Sequence, residues 1–162
     1  MIVLRRAEEG DLDAIVAIER RSFGDPWPRG AFLSLVRRDD AHVVVAVPDP
    51  AAPPAGLPPV LGYAIAWFIV GEGEVGNVAV HPDVRGQRIG ARLLDEALAE
   101  ARRRNAEVVF LEVRESNEAA RRLYASRGFE VWAERETPLW TPWLGAPARH
   151  VVMARVTGAA TG

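Results

Sequence analysis

HPDVRGQRIGARLL, residues 81–94, decides how this chain is read. A turn holding Gly86 and Gly90 runs directly into an apolar stripe of Ile89, Leu93, Leu94, Ala97, Leu98 and Ala101 at helical spacing. The first N–H groups of a helix have no partner inside it and sit at the positive end of its dipole. A glycine turn leading into a helix can therefore hold an anion. Arg88 occupies the place where a third small residue would ease close approach. In isolation the stretch reads first as an exposed basic turn with Arg85 and Arg88 solvated, and second as a ligand cradle.

The segments around it alternate between strand and helix. Upstream, VLGYAIAWFIV from residue 60 returns through a turn at GEG (71–73) into EVGNVAV (74–80), which reads as a β-hairpin. Downstream, Asn105 is placed to end the helix, and VVFLEV (108–113) follows. That run is apolar except for Glu112, as expected for a central strand covered on both faces. NEAARRLYASRGF (117–129) reads as a helix closed by Gly128, with FEVWAERE, a Trp- and Pro-rich stretch and the last strand HVVMARV (150–156) after it.

Nearer the N-terminus, IVLRR (2–6) suits a short strand. DLDAIVAIERRSF starts at an Asp cap and carries Leu12, Ile15, Val16 and Ile18 on one stripe. Pro28 sits at the start of a second short helix with Phe32, Leu33 and Val36 facing inward, and HVVVAV (42–47) is a strand. PDPAAPPAGLPP (48–59) has too much proline for helix or sheet and reads as a surface loop. The sum is one α/β domain over residues 1–156, antiparallel at its start and parallel where helices cross over, with TGAATG (157–162) as a tail that has no reason to be ordered.

Composition bounds the chemistry. With 162 residues, 49% hydrophobic and 26% charged, the chain suits one globular domain. Twenty basic against 22 acidic residues give a formal charge of -2, so no global charge favours nucleic acid. Arg102, Arg103 and Arg104 read as a solvated helix end. No apolar run reaches the roughly 20 residues of a membrane span, which makes the cytoplasm the expected location. The absence of cysteine removes a thiol nucleophile and thiolate ligands, and His42, His81 and His150 lack ligand spacing, so no metal is expected.

Three further residues carry possible chemistry. Glu112, alone in an apolar strand, either reaches solvent or is a partly buried carboxylate whose desolvation suits a proton acceptor. Asn117 is explained as a helix cap. Tyr124 shares a helix face with Ala120 and Leu123, where a tyrosine is more often core than catalyst.

Taken together, the order of strand, hairpin, glycine turn into helix, strand bearing Glu112, and SNEAARRLYASRGF resembles the GNAT superfamily of acetyl-CoA-dependent N-acetyltransferases, over most of the chain. IERRSFGDPWPRGAF, NVAVHPDVRGQRIGARLL and LEVRESNEAARRLYASRGF look most like the ribosomal-protein-alanine N-acetyltransferases, the RimI type. The superfamily's phosphate motif, Q/R-x-x-G-x-G/A, matches at Arg85 and Gly90, with Arg88 for the middle glycine.

The resemblance implies a mixed sheet of about seven strands with about four helices. It implies that the backbone of Gly86, Gln87, Arg88, Ile89, Gly90 and Ala91 binds the coenzyme pyrophosphate, with Arg88 at negative φ and its guanidinium adding a phosphate contact. Val78, Ala79 and Val80 would pair with the pantetheine arm, Val80 N–H would polarise the thioester carbonyl, and Asn117 would lie beside the coenzyme. Glu112 would act as general base and Tyr124 as general acid in direct transfer to an amine. The acceptor would be a protein N-terminal α-amine, with a small-molecule amine or lysine as the nearest alternative and a non-catalytic coenzyme-binding module as a more distant one. In the alanine N-acetyltransferases a pair of tyrosines and then an acidic pair follow GF. Here ERETPLWTPWLGAPARHVVM has Trp140 and Trp143, with Arg149 and His150 where the acidic pair is expected, so Trp27, Trp140 and Trp143 are candidate walls of the acceptor channel.

Overall fold

The structure, a computed structural model, describes residues 2–53, 55–136 and 149–157. The runs AHVVVAVP and GYAIAWFI are apolar on both pleat faces and form the covered strands β2 (Ala41–Pro48) and β3 (Gly62–Ile69). β1 (Ile2–Arg6) pairs antiparallel with β2, and β4 (Glu72–Val80) antiparallel with β3. Helix α3 (Ile89–Arg103) then crosses over to β5 (Val108–Arg114), which runs parallel to β4. β7 (Arg149–Val156) lies between β5 and β6 (Glu130–Glu136), so the sheet order is β1-β2-β3-β4-β5-β7-β6. Together with α1 (Leu12–Ser22), α2 (Arg29–Arg37) and α4 (Glu118–Ser126), this makes a single α/β domain with a mixed seven-stranded sheet and four α-helices among the described residues. None of those helices is long and apolar enough to cross a membrane.

The helices divide between the two faces of the sheet. α1 and α2 pack on Val43, Val45, Tyr63 and Ile65. On the other face α3 covers Val44, Ala46 and Ala64, while α3 and α4 cover Val109, Leu111 and Val113. α3 ends where Asn105 takes φ 57°, with Ala106 N–H donating back to the Ala101 carbonyl at 2.9 Å, an end that uses the left-handed tolerance of asparagine.

Three details differ from the sequence reading. The hairpin turn is Val70–Gly71, not GEG: φ values of 38° and 79° give a two-residue loop whose twist matches the strands, so pairing begins at Ile69 and Glu72. Among the described residues, helices cover β5 on one face only. Val109, Leu111 and Val113 are buried, whereas Val108 and Phe110 are half-buried and Glu112 is exposed, because α1 and α2 lie over the other half of the sheet. Thr157, expected with the tail, is buried and its N–H donates to the Glu107 carbonyl at 3.0 Å; residues 158–162 lie outside the described residues.

The feature that positions the site is a failure of pairing. The β4/β5 ladder joins Glu72 through Val75 to Val108 through Leu111 and then stops. At the same level β4 bulges: Ala64 faces Val78 and Ala66 faces Val75, so Gly76 and Asn77 together oppose Ile65. Beyond the bulge β4 stays paired with β3 to Val80 but no longer with β5, and a gap opens between β4 and β5.

Candidate active site

A cleft of about 450 Å³ lies at this gap. Of the residues expected at the coenzyme, Val78, Ala79, Val80, Arg85, Gly86, Gly90, Asn117 and Tyr124 line it. Ser22 and Phe23 from the end of α1, and Ala119, Ala120 and Leu123 from α4, complete the wall and were not anticipated. Gln87, Arg88, Ile89 and Ala91 are not among the lining residues, and Ile89 is a core residue at 2% exposure.

The backbone of β4 is directional here. His81 N–H donates to the Leu61 carbonyl at 2.7 Å, toward β3, whereas the Val80 carbonyl accepts from Arg85 Nε at 3.1 Å. Successive strand residues present their peptide groups to opposite edges, so Val80 and Val78 face the gap and Ala79 faces β3. Ala79 therefore lines the cleft without offering it an N–H. Arg85 is exposed but tethered, its Nη2 lying 3.5 Å from Ser22 Oγ.

Arg88 overturns one expectation. Its φ is 62°, left-handed rather than negative, and Gly86 is left-handed as well at 80°. The chain must leave the short turn Pro82–Val84 and enter α3 while burying Val84 and Ile89 in one cluster, and two left-handed residues make that reversal within four positions. Gly86 adopts this conformation freely; Arg88 holds it at a cost of about 1–2 kcal/mol. Turns of this kind direct N–H groups into a shared concavity next to the helix N-terminus.

Tyr124 and Glu112 occupy opposite faces of the sheet. Tyr124 is packed among the residues under α4, and burial pushes its phenol up to about 12. Asn117 caps α4, its Oδ1 accepting from Ala120 N–H at 3.2 Å, while also lining the cleft. Glu112, for which the sequence left solvent exposure and partial burial both open, is exposed on the face of α1 and α2, with Arg135 Nε and His150 Nδ1 each 3.6 Å from its Oε1.

Trp27 is on that same face but not in the cleft. It stacks on Trp67 at 6.1 Å above the bulge, where a side chain on Gly76 would come within 2.6 Å of the Trp67 ring. Trp140 and Trp143 lie outside the described residues. The sequence reading missed Glu19, a carboxylate at 0% exposure that accepts hydrogen bonds from Tyr63 Oη, from Asn77 Nδ2 at 2.9 and 3.2 Å, and from Trp27 N–H at 3.1 Å. The signal was present, since Glu19 continues the buried stripe of Leu12, Ile15 and Val16.

Comparison with known proteins agrees with this arrangement. Residues 12–129 match the acetyltransferase (GNAT) family. The [ribosomal protein bS18]-alanine N-acetyltransferase of Escherichia coli K12 is 31% identical over 129 residues, which cover 80% of this chain and 81% of that one. The crystal structure of the Escherichia coli ribosomal-protein-S18-alanine N-acetyltransferase superposes with a TM-score of 0.82 at 28% identity, covering 99% of this chain and 96% of that one. Arabidopsis thaliana NAA60, bound to a bisubstrate analogue, shares the fold at a TM-score of 0.84 and 18% identity, over 96% and 99% of the two chains. The family match takes in the parted strands, the glycine turn and the helix bearing Tyr124, and this chain is therefore a member of the GNAT family of acetyltransferases.

Proposed function

We propose that this acetyltransferase moves the acetyl group of acetyl-CoA to a protein N-terminal α-amine, with the N-terminal alanine of a ribosomal protein as acceptor. GNAT acetyltransferases use acetyl-CoA as donor. The observation that carries the reading is the gap between β4 and β5, with Tyr124 lining its cleft on one face of the sheet and Glu112, the first β5 residue past the ladder, on the other face. The fit to the donor is chemical: Val78 and Val80 present peptide groups along the gap as a pantetheine arm requires, and the Gly86 turn with the α3 N-terminus suits a pyrophosphate.

The residues then divide the work. Glu112 takes a proton from the entering ammonium, directly or through water, and the amine nitrogen forms a bond to the thioester carbonyl carbon. Val80 N–H donates to the carbonyl oxygen as negative charge develops there. The C–S bond breaks, the departing sulfur takes the Tyr124 proton, and the second proton that the nitrogen loses as the amide forms goes to solvent, from which the phenol regains its own. With no cysteine in the chain, direct transfer without a cysteinyl acyl-enzyme is the simpler route.

An α-amine, with a pKa of about 8 against about 10.4 for lysine, needs roughly 3 kcal/mol less to be free at neutral pH, which suits a single exposed carboxylate. The names of the relatives above support a ribosomal acceptor. Thiol release from acetyl-CoA tests the reading with peptides beginning in Ala, Ser or Met, the same peptides blocked at the α-amine but carrying lysine, and polyamines. Turnover is expected on the free N-termini, strongest with Ala. Turnover confined to blocked lysine peptides or polyamines overturns it.

A further inference from the structure

Glu19 has no contact with solvent, yet donors from three separate segments converge on it: Tyr63 from β3, Asn77 from β4, and the backbone N–H of Trp27 from the connection between α1 and α2. A carboxylate only accepts, so each partner must turn a donor toward it. For Tyr63, burial first and the Glu19 carboxylate second push the phenol pKa upward and keep it protonated. For Asn77 the consequence is one of direction. Its NH₂ reaches both Glu19 oxygens, so its Oδ1 points away from them.

Asn77 is half-buried and stands in the bulge, two residues past Val75, the last β4 residue paired with β5. Glu112 is the first β5 residue past the end of that ladder. Both side chains are on the face of α1 and α2: Asn77 through its bond to Glu19, Glu112 by alternation with Leu111 and Val113, which face α3 and α4. Asn77 and Glu112 thus stand on the two strands that border the gap, on the face opposite Tyr124.

We infer that Asn77 Oδ1 receives the acceptor's ammonium group and that buried Glu19 is a positioning residue that fixes the Asn77 amide in the receiving orientation. The inference rests on the reading that an amine enters from this face. An ammonium group carries only donors, so an amide oxygen attracts it, whereas a flipped amide would set N–H against N–H. The same carboxylate holds the Trp27 backbone, so the acceptor wall and the ammonium site share one buried anchor.

The test is steady-state kinetics on the intact enzyme. Wild type is first run on α-amine and lysine peptides, and whichever it uses serves for the variants, so failure on α-amines overturns the assigned acceptor while leaving Asn77 testable. Asn77→Ala is expected to raise the acceptor KM by about tenfold or more, the effect of one hydrogen bond to a charged group, and to leave the acetyl-CoA KM within about twofold. Glu19→Gln, which lets the amide flip, is expected to raise the acceptor KM in the same way.

The double variant E19Q/N77D exchanges donor and acceptor across the pair. The amide introduced at position 19 now donates to the carboxylate introduced at position 77, whose second oxygen faces the gap. The acceptor KM is then expected to return to within about threefold of wild type. An Asn77→Ala enzyme with unchanged acceptor KM, or with both KM values raised alike, overturns the inference. So does a folded double variant no better than Glu19→Gln alone, which is what a purely structural Glu19 would give. Thermal unfolding of each variant establishes folding, and either variant decides the question if the other does not fold.

Discussion

The Tyr124 ring stands edge-on to Phe129, with centroids 5.9 Å apart and planes at 62°, so the phenol at the cleft is held by packing as well as by its helix. Burial pushes its pKa up to about 12, and it keeps its proton throughout the range in which a general acid is needed. Tyr124→Phe retains the packing and removes the proton. Turnover should fall by about tenfold or more, with little change in acetyl-CoA affinity. Titration of Tyr124 should also leave the rate unaffected up to about pH 10. An unchanged rate in the variant would remove Tyr124 from the acid role.

Glu112 is exposed and belongs to no core cluster, so its loss should separate chemistry from folding. Glu112→Gln is expected to lower kcat by roughly one to two orders of magnitude, the range of a lost general base. Its unfolding temperature should stay close to wild type, since surface substitutions usually change stability by within about 0.5 kcal/mol. Kinetics and a melting curve on one preparation check both halves.

Arg88 at φ 62° makes a prediction of unusual sign for a residue beside a ligand cleft. Arg88→Gly relieves a left-handed strain of about 1–2 kcal/mol but loosens the unfolded chain by about 0.5–1 kcal/mol, for a net gain between zero and about 1.5 kcal/mol. Melting temperature should rise by about 2 °C in a chain of this size. Arg88→Val, β-branched, should lower it. The acetyl-CoA KM of the glycine variant then reports what the guanidinium adds: a rise of about threefold or more assigns it a phosphate contact.

His42 is buried between β2 and α3, with Nε2 3.4 Å from Glu96 Oε1 and Nδ1 3.6 Å from Glu100 Oε2. Burial pushes its pKa below 6.5, opposed only in part by the Glu100 and Glu96 carboxylates, which make no well-aligned hydrogen bond to the ring nitrogens. The unfolded chain therefore takes up this proton before the folded one. The stability is present in full above pH 6.5 and declines as pH falls toward the lower folded value, by at most about 1.4 kcal/mol per pH unit for one proton. Melting curves from pH 7.5 to 5 should show this loss in wild type and a flatter profile in His42→Gln.

The glycine turn and its neighbours were legible because they depend on local rules. Helical spacing announced α3, Asn105 its end, and the apolar runs the strands, since short-range sterics and hydrophobic periodicity act within a few residues. The residue order that carried the family resemblance was likewise a property of the linear chain. Arg88 was misjudged because a backbone angle at a non-glycine residue is set by where Val84 and Ile89 must both be buried, a tertiary demand.

What the sequence alone determined is therefore the α/β class, the glycine turn before α3 and part of the cleft lining, Val78, Val80, Gly86, Gly90, Asn117 and Tyr124 among it. What only the tertiary structure decided is which of them meet. The β4/β5 ladder stops at Val75 and Leu111, which opens the gap between Tyr124 under α4 and Glu112 on the other face, and α1 buries Glu19 against Tyr63 and Asn77 across separations of 44 and 58 residues. A pattern of side chains can state that a face is apolar. Only packing can say which neighbour lies under it, because burial and hydrogen-bond pairing between distant segments are fixed when the sheet and its helices close on one another.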